Sequence, residues 1–206
     1  MDIAIPIFDG LTALDAIGPY EVLSRLDGAR VHFLALEPGP KRTENGMLAV
    51  TADGALNDLR APEVIVMPGG YGTRALMHDE RMLAWVRAAH ETSEWTTSVC
   101  TGALVLGAAG ILDGLEATTH WALMDTLGRL GAIPVDRRVV EQGKVITAAG
   151  VSSGIDMALT LAARVAGEDM ARAIQLAIEY DPEPPFDSGS VAKAPPEILE
   201  LARERS

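Results

Sequence analysis

The chain has 206 residues, 48% of them hydrophobic, which is ample for one well-cored α/β domain and short for two. Its formal net charge of −12 argues against a nucleic-acid partner or an anionic membrane surface. With one cysteine no intrachain disulfide is possible, which fits a reducing, cytoplasmic compartment.

The first nine residues, Met1 to Asp9, lack a basic leader, and Ile3–Phe8 reads as a buried strand rather than a signal core. Leu11–Leu26 predicts a helix and Val31–Leu36 a second strand. Met47–Thr51 is a short strand or hairpin arm between turn signals at Asn45-Gly46 and Asp53-Gly54. Val64–Met67 is a short buried strand ending at Pro68-Gly69-Gly70. Asp79–Glu94 is an amphipathic helix, and Trp95–Val99 is a strand that runs into Cys100. Thr101–Leu112 and Trp121–Leu130 predict helices stopped at Asp113-Gly114 and Gly131. Val139–Glu141 and Lys144–Thr147 flank a hairpin turn at Gln142-Gly143. Ser152–Val165 and Met170–Tyr180 predict helices, residues 181–190 an extended Pro-rich segment, and Ala194–Arg205 a short last helix.

Short apolar runs alternating with helices predict a mostly parallel sheet covered on both faces. No repeat or linker interrupts it, so residues 1–206 are expected to form one domain with an extended C-terminal arm over 181–206. No run approaches the roughly 20 apolar residues of a membrane helix, so no membrane partner is expected.

Cys100 stands where a β-branched run ends and a small apolar helical run begins. A side chain at such an elbow is pushed out of both elements, at the helix end whose dipole favours thiolate. The sequence leaves two readings, a nucleophile or a small buried hydrophobe. The Thr101 backbone N–H would lie beside the sulfur, while its hydroxyl fits a helix cap. Pro68-Gly69-Gly70-Tyr71-Gly72 follows a buried strand and should end next to Cys100. It carries no GxGxxG or Walker spacing, which argues against a nucleotide site.

Asp15 sits among apolar and small residues, either as a cap or surface group or as an acid/base. Ionised beside Cys100 it would raise the thiol pKa; protonated it would stabilise the thiolate, so the two would share one titration. His120 is a general base or a structural histidine. No Cys/His/Asp cluster has metal-ligand spacing.

Pro68-Gly69-Gly70, Ser98-Val99-Cys100-Thr101-Gly102 and Thr118-Thr119-His120-Trp121 together resemble the ThiJ/PfpI superfamily of glutamine-amidotransferase-like proteins. Leu14-Asp15 with Gly18-Pro19, and the tail Pro184-Pro185-Phe186, are most similar to its isocyanide hydratases. The resemblance implies a flavodoxin-like three-layer α/β/α sandwich and cofactor-independent hydration of an isocyanide to an N-substituted formamide. It also implies a homodimer acting on a small-molecule electrophile. Carried over by position, Cys100 is the nucleophile and Asp15 the acid/base. The N–H groups of Gly70 and Thr101 line the anion site, and Tyr180 is a pocket neighbour. Peptidase-like members place His directly after the nucleophile, and Thr101 stands there instead. Ile17, Tyr71, Trp121, Val151, Tyr180 and His120 are the pocket candidates, and the small residues of Ala148-Ala149-Gly150 could pack close to the cysteine. Two other classes share parts of the pattern: a stand-alone ligand sensor related to AraC-type regulators, and a thiol-based stress or carbonyl-detoxifying protein.

Overall fold

Apolar β-branched runs make the centre of the sheet, because only a strand can bury both its faces over four or five residues. The computed structural model describes residues 1–204. In it Val64–Met67 (β6) is buried throughout, and Trp95–Val99 (β7) beside it is buried from Thr96 onward. The buried β7 threonines are satisfied: Thr97 Oγ1 donates to Ile65 O at 2.9 Å, and Thr96 Oγ1 meets His90 Nδ1 at 2.8 Å.

In chain order the elements begin with β1 (Asp2–Pro6), α1 (Ala13–Leu23), β2 (Arg30–Ala35), β3 (Gly39–Arg42), β4 (Ala49–Ala52) and β5 (Gly54–Ala55). After β6 come α2 (Thr73–Leu76), α3 (Glu80–Thr92), β7, α4 (Gly102–Ala108), β8 (Glu116–Ala117) and α5 (Met124–Arg129). The rest are β9 (Ile133–Pro134), β10 (Val139–Gln142), β11 (Val145–Ala148), α6 (Ser153–Ala166), α7 (Glu168–Ala177) and α8 (Pro196–Arg203). Among the described residues a seven-stranded sheet runs β10-β11-β7-β6-β1-β2-β5, parallel except for β10 against β11. Helix α1 packs on α6 and α6 on α7, while α2, α3 and α5 surround α4. The result is the mostly parallel, helix-covered sheet that the alternating pattern predicted, in the flavodoxin-like α/β fold that the resemblance implied.

Val64–Met67 and Trp95–Val99 keep their expected bounds. The expected Ile3–Phe8 strand is Asp2–Pro6, Lys144–Thr147 is Val145–Ala148, and the Leu11–Leu26 helix is shorter, Ala13–Leu23. The predicted helix over Thr101–Leu112 stops at Ala108. Gly110 turns with φ +79°, and Ile111 N–H reaches back to Leu106 O at 3.0 Å, closing the last turn. The predicted Met170–Tyr180 helix starts earlier, at Glu168 after Gly167, and ends before Glu179, whose φ is +49°. The last helix covers Pro196–Arg203; the expected end at Arg205 lies outside the described residues. Met47–Thr51 shifts to β4, which pairs antiparallel with β3, a strand of Gly, Pro and charged residues that carries no strand signal. This ribbon docks on the β1–α1 loop through Gly10 N–H to Arg42 O (2.7 Å) and Glu44 N–H to Leu11 O (3.1 Å).

Parallel register levels the carboxyl ends of three neighbouring strands. Met67 pairs with Ser98 and Val99 with Ala148, so Pro68-Gly69-Gly70, Cys100 and Ala149 emerge side by side. Helix α4 then starts hard against β6: a Cβ on Gly102 would lie 2.1 Å from Met67 O. Gly102→Ala should therefore destabilise the fold by about 2–3 kcal/mol, the scale of overpacking into rigid backbone. Urea unfolding at constant m value measures this, and an unchanged midpoint would show that α4 can shift.

Candidate active site

Cys100 takes φ +55°, a left-handed conformation that costs a non-glycine residue about 1–2 kcal/mol. Its neighbours hold it there from both sides. The Cys100 N–H donates to Ala148 O (3.0 Å) and Ala149 O (3.1 Å), and Thr119 Oγ1 donates to Cys100 O (2.8 Å). The elbow thus aims the sulfur across the ends of β6 and β11 while leaving it only 4% exposed.

Asp15 approaches from α1 and is fully buried, 0% exposed. Its Oδ2 accepts the Gly69 N–H at 3.0 Å, and its Oδ1 has no nitrogen or oxygen partner. The Cys100 thiol is its titratable neighbour, close enough to shift its ionisation. Gly69 is required for this approach, since a Cβ there would sit 2.6 Å from Thr101 N and 2.8 Å from Asp15 Oδ2. Burial pushes the Asp15 carboxyl up to about 7 against the opposing effects of the Gly69 N–H and the Cys100 thiol. Burial, then the Asp15 charge, also holds the Cys100 thiol well above the ordinary thiol range. The thiolate preference expected from the helix end is thus reversed for the isolated thiol, because α4 is short and desolvation is the larger effect. The pair gives up its first proton around pH 7, and the second leaves only at much higher pH.

The backbone N–H groups of Thr101 and Val151 face the sulfur and favour its ionised form. The Gly70 N–H, expected in this anion site, instead donates to Thr101 Oγ1 at 2.8 Å, and that hydroxyl also reaches Gly70 O at 3.1 Å. The Thr101 side chain therefore fastens the Gly70 loop to the elbow and makes no helix cap. Val151 takes the place assigned to Gly70. Its position follows from the small residues Ala148-Ala149-Gly150, which bring the chain between β11 and α6 against Cys100.

A cavity of about 260 Å³ opens over the sulfur, lined by Thr12, Glu44, Gly70, Tyr71, Arg74, Cys100, Thr101, His120, Ala122, Leu123 and Val151. Among the expected pocket residues, Val151, Tyr71 and His120 are there. His120 packs on Gly150, and burial lowers its pKa, so the ring is neutral at pH 7. Its Nδ1 accepts the Ala122 N–H at 3.4 Å.

Ile17, Trp121 and Tyr180 are not in the lining. Ile17 stands two residues beyond Asp15, about 200° around the helix, so when Asp15 faces the cysteine Ile17 faces away. Trp121 begins a tight turn that presents Ala122 and Leu123 instead. The Tyr180 hydroxyl donates to Asp156 Oδ2 (3.1 Å) and receives a hydrogen bond from Arg138 (3.4 Å). Arg138 also reaches Ser152 Oγ (3.2 Å), at the start of α6, so Tyr180 braces the segment carrying Val151 rather than touching the cavity.

Thr12, Glu44 and Arg74 were not anticipated. Glu44 rides on the β3–β4 ribbon, where its carboxylate accepts Thr12 Oγ1 (3.0 Å) and the Tyr71 N–H (3.3 Å). Local sequence shows only the turn Thr43-Glu44-Asn45-Gly46; nothing in it reveals that the ribbon folds over the cysteine.

A larger depression of about 420 Å³ runs along β2 from Arg30 to Leu34, between Asp2 and residues 53–59. Arg30 and His32 hold Asp2 well below the usual carboxylate range. The depression has no thiol and lies at the sheet edge, away from the carboxyl ends of β6 and β7, so the smaller cavity is the one that matters. Among the described residues no group of three His, Cys, Asp or Glu could hold a metal, and no helix is long and apolar enough to cross a membrane.

Residues 1–164, which carry every one of these cavity residues, match the model of the DJ-1/PfpI family. The chain belongs to the DJ-1/PfpI family. Across its whole length it is 44% identical to an isonitrile hydratase from Pseudomonas putida, covering 90% of that protein. The crystal structure of a ThiJ/PfpI family protein from Pseudomonas syringae superposes with a TM-score of 0.95 at 37% identity, covering 99% of this chain and 85% of that one. The HTH-type transcriptional regulator CdhR of Pseudomonas aeruginosa is 31% identical over 81% of the chain, which spans half of that regulator. This DJ-1/PfpI site therefore has both enzyme and regulator relatives, and its cavity chemistry has to separate them.

In the unfolded chain Asp15 ionises near 3.8; in the fold it does so near 7. Between those values the folded state holds a proton that the unfolded state has lost. Asp15 therefore supports stability at low pH and loses that contribution as pH rises through 7, a swing on the order of 3 kcal/mol. Unfolding of wild type and Asp15→Asn at pH 4.5 and 8 should show the variant gaining about that much relative to wild type at the higher pH. A constant difference would mean that Asp15 titrates as an ordinary carboxyl.

Proposed function

We propose that the chain is an isocyanide hydratase, converting an isocyanide and water to an N-substituted formamide with Cys100 as nucleophile and Asp15 as acid and base. The observation that carries this is the buried Asp15–Cys100 pair, which holds one transferable proton beside one sulfur nucleophile in a cavity of small-molecule size. The full-length similarity to an isonitrile hydratase, isonitrile being another word for isocyanide, supports the same reading.

The terminal carbon of an isocyanide accepts a nucleophile and carries a lone pair, so addition needs a nucleophile and a proton nearly together. Once Asp15 has ionised, the pair's remaining proton rests on the Cys100 thiol. Passing it to Asp15 as substrate enters gives a thiolate that bonds to that carbon while Asp15 gives the carbon its proton, leaving a thioimidate and an ionised carboxylate. Asp15 then takes a proton from water as the hydroxide adds to the same carbon. The nitrogen gains the proton that the new hydroxyl gives up, and the carbon–sulfur bond breaks. Formamide leaves, with Cys100 again a thiolate and Asp15 again protonated. The Thr101 and Val151 N–H groups stabilise the sulfur anion at both ends of this cycle. Burial keeps both protons from exchanging freely with solvent. The homodimer implied by the family resemblance belongs to this same reading.

The stress-protein alternative needs an accessible, low-pKa thiol, and the burial of Cys100 beside a carboxyl opposes that. Purified protein should form formamide from an aryl or cyclohexyl isocyanide. Cys100→Ala should have no turnover, and Asp15→Asn should lose about 10²–10⁴-fold in kcat. No formamide from wild-type protein, or near-normal turnover in either variant, would sink the mechanism.

A further inference from the structure

The cavity above Cys100 is not uniformly apolar. Its mouth carries one positive group, Arg74, and one negative group, Glu44, yet the two do not pair. Both oxygens of Glu44 are engaged, by Thr12 Oγ1 and the Tyr71 N–H. Among the described residues Arg74 has no carboxylate or hydrogen-bond partner for its guanidinium. Its guanidinium carbon lies over the Tyr71 ring, 4.2 Å from the centroid. Arg138 is paired with Asp156 and Arg164 with Glu141, each within 2.9 Å; what sets Arg74 apart is that it lines the cavity over Cys100 unpaired.

Stacking on an aromatic face fixes a guanidinium in space while leaving its edge N–H donors free. Those donors are spaced to grip a carboxylate in bidentate fashion. The position is also fixed from below. Gly70 is fastened to Thr101, and α2 starts three residues later, so Arg74 stands on the rim of the wall whose base is the nucleophile. The other charged or titratable groups at the cavity are Tyr71 under the guanidinium, Cys100 at the floor with Asp15 buried behind it, and His120, which is neutral at pH 7. Negative charge is thus repelled at the floor and by Glu44, and welcomed at the Arg74 edge.

We propose that the electrophile consumed at Cys100 carries a carboxylate, held by the Arg74 guanidinium at the cavity mouth while the reacting carbon lies on the sulfur. Resting on the hydratase reading, this makes the substrate class an isocyanide whose substituent ends in a carboxylate. Arg74 is then the residue that selects it, through substrate affinity rather than through the chemical step.

Two comparisons test the assignment, one of them independent of turnover. Cys100 is the chain's one cysteine, so its alkylation reads this site alone. The rate with iodoacetate divided by the rate with iodoacetamide cancels thiolate content and reports attraction for an anion. Arg74→Gln should lower that ratio about tenfold, the scale of one charged hydrogen-bonded contact at a partly solvated site, and Arg74→Lys should retain most of it. In steady state, kcat/KM for 4-carboxyphenyl isocyanide divided by that for phenyl isocyanide should fall by a similar factor in Arg74→Gln, mainly through KM. If both ratios survive in Arg74→Gln, Arg74 does not recognise the substrate and the proposal is wrong. If wild type consumes neither isocyanide, the hydratase reading and the isocyanide class fail together. The alkylation ratio then still decides whether Arg74 draws an anion to Cys100.

Discussion

One buried negative charge shared by two groups sets the terms for everything around it. A carboxyl and a thiol placed together out of water resist ionising twice, and a pair of that kind keeps a proton within reach of a nucleophile near neutral pH. Holding even one charge there needs donors, and the chain supplies them from the backbone: Gly69 to the carboxyl, Thr101 and Val151 to the sulfur. Backbone donors cannot approach closely past side chains. That is why glycine stands at 69, whereas glycine at 150 leaves room for the His120 ring, 2.7 Å from where a Cβ would lie.

The sheet is what brings those three donors together. They come from segments far apart in sequence, at the ends of β6, β7 and β11, and parallel pairing in register puts the ends at one level. Helix α1 crosses nearby through its packing on α6 and delivers Asp15 from the side. The left-handed turn at Cys100 is tolerable because its N–H and carbonyl are both fastened to neighbouring strands and loops. Strain of this sort persists where surrounding contacts over-determine it, and here it points the sulfur out of the helix.

Much of this was legible in the residues because the signals are local. Val64–Met67 and Trp95–Val99 are runs that can only be buried strands, and the elbow follows from a β-branched run meeting a small-residue helix. Asp15 and Cys100 stand out as polar or reactive groups in apolar company. What failed depended on directions that sequence spacing does not give. Ile17 faces away from Asp15 by helical geometry, and Tyr180 is drawn to Arg138 and Asp156, which no local pattern pairs with it. The Gly70 N–H was lost to a threonine hydroxyl 31 residues away. The β3–β4 ribbon was least visible, since Gly39-Pro40-Lys41-Arg42 has poor strand propensity and is held by docking on the β1–α1 loop.

That ribbon has a consequence for how such a site can change. The nucleophile, the acid and the anion-stabilising N–H groups are all tied to the main sheet and to α1. Glu44, which braces Tyr71 and forms one wall of the cavity, belongs to a two-stranded ribbon outside the main sheet, joined to the β1–α1 loop by a bridge from Thr43 to Leu11. One wall of the cavity is therefore mounted apart from the chemistry, while Arg74 stays on α2 with the main body. The ribbon can be lengthened, trimmed or recharged without touching the register that levels the strand ends, so the range of accepted molecules can drift while the reaction stays the same.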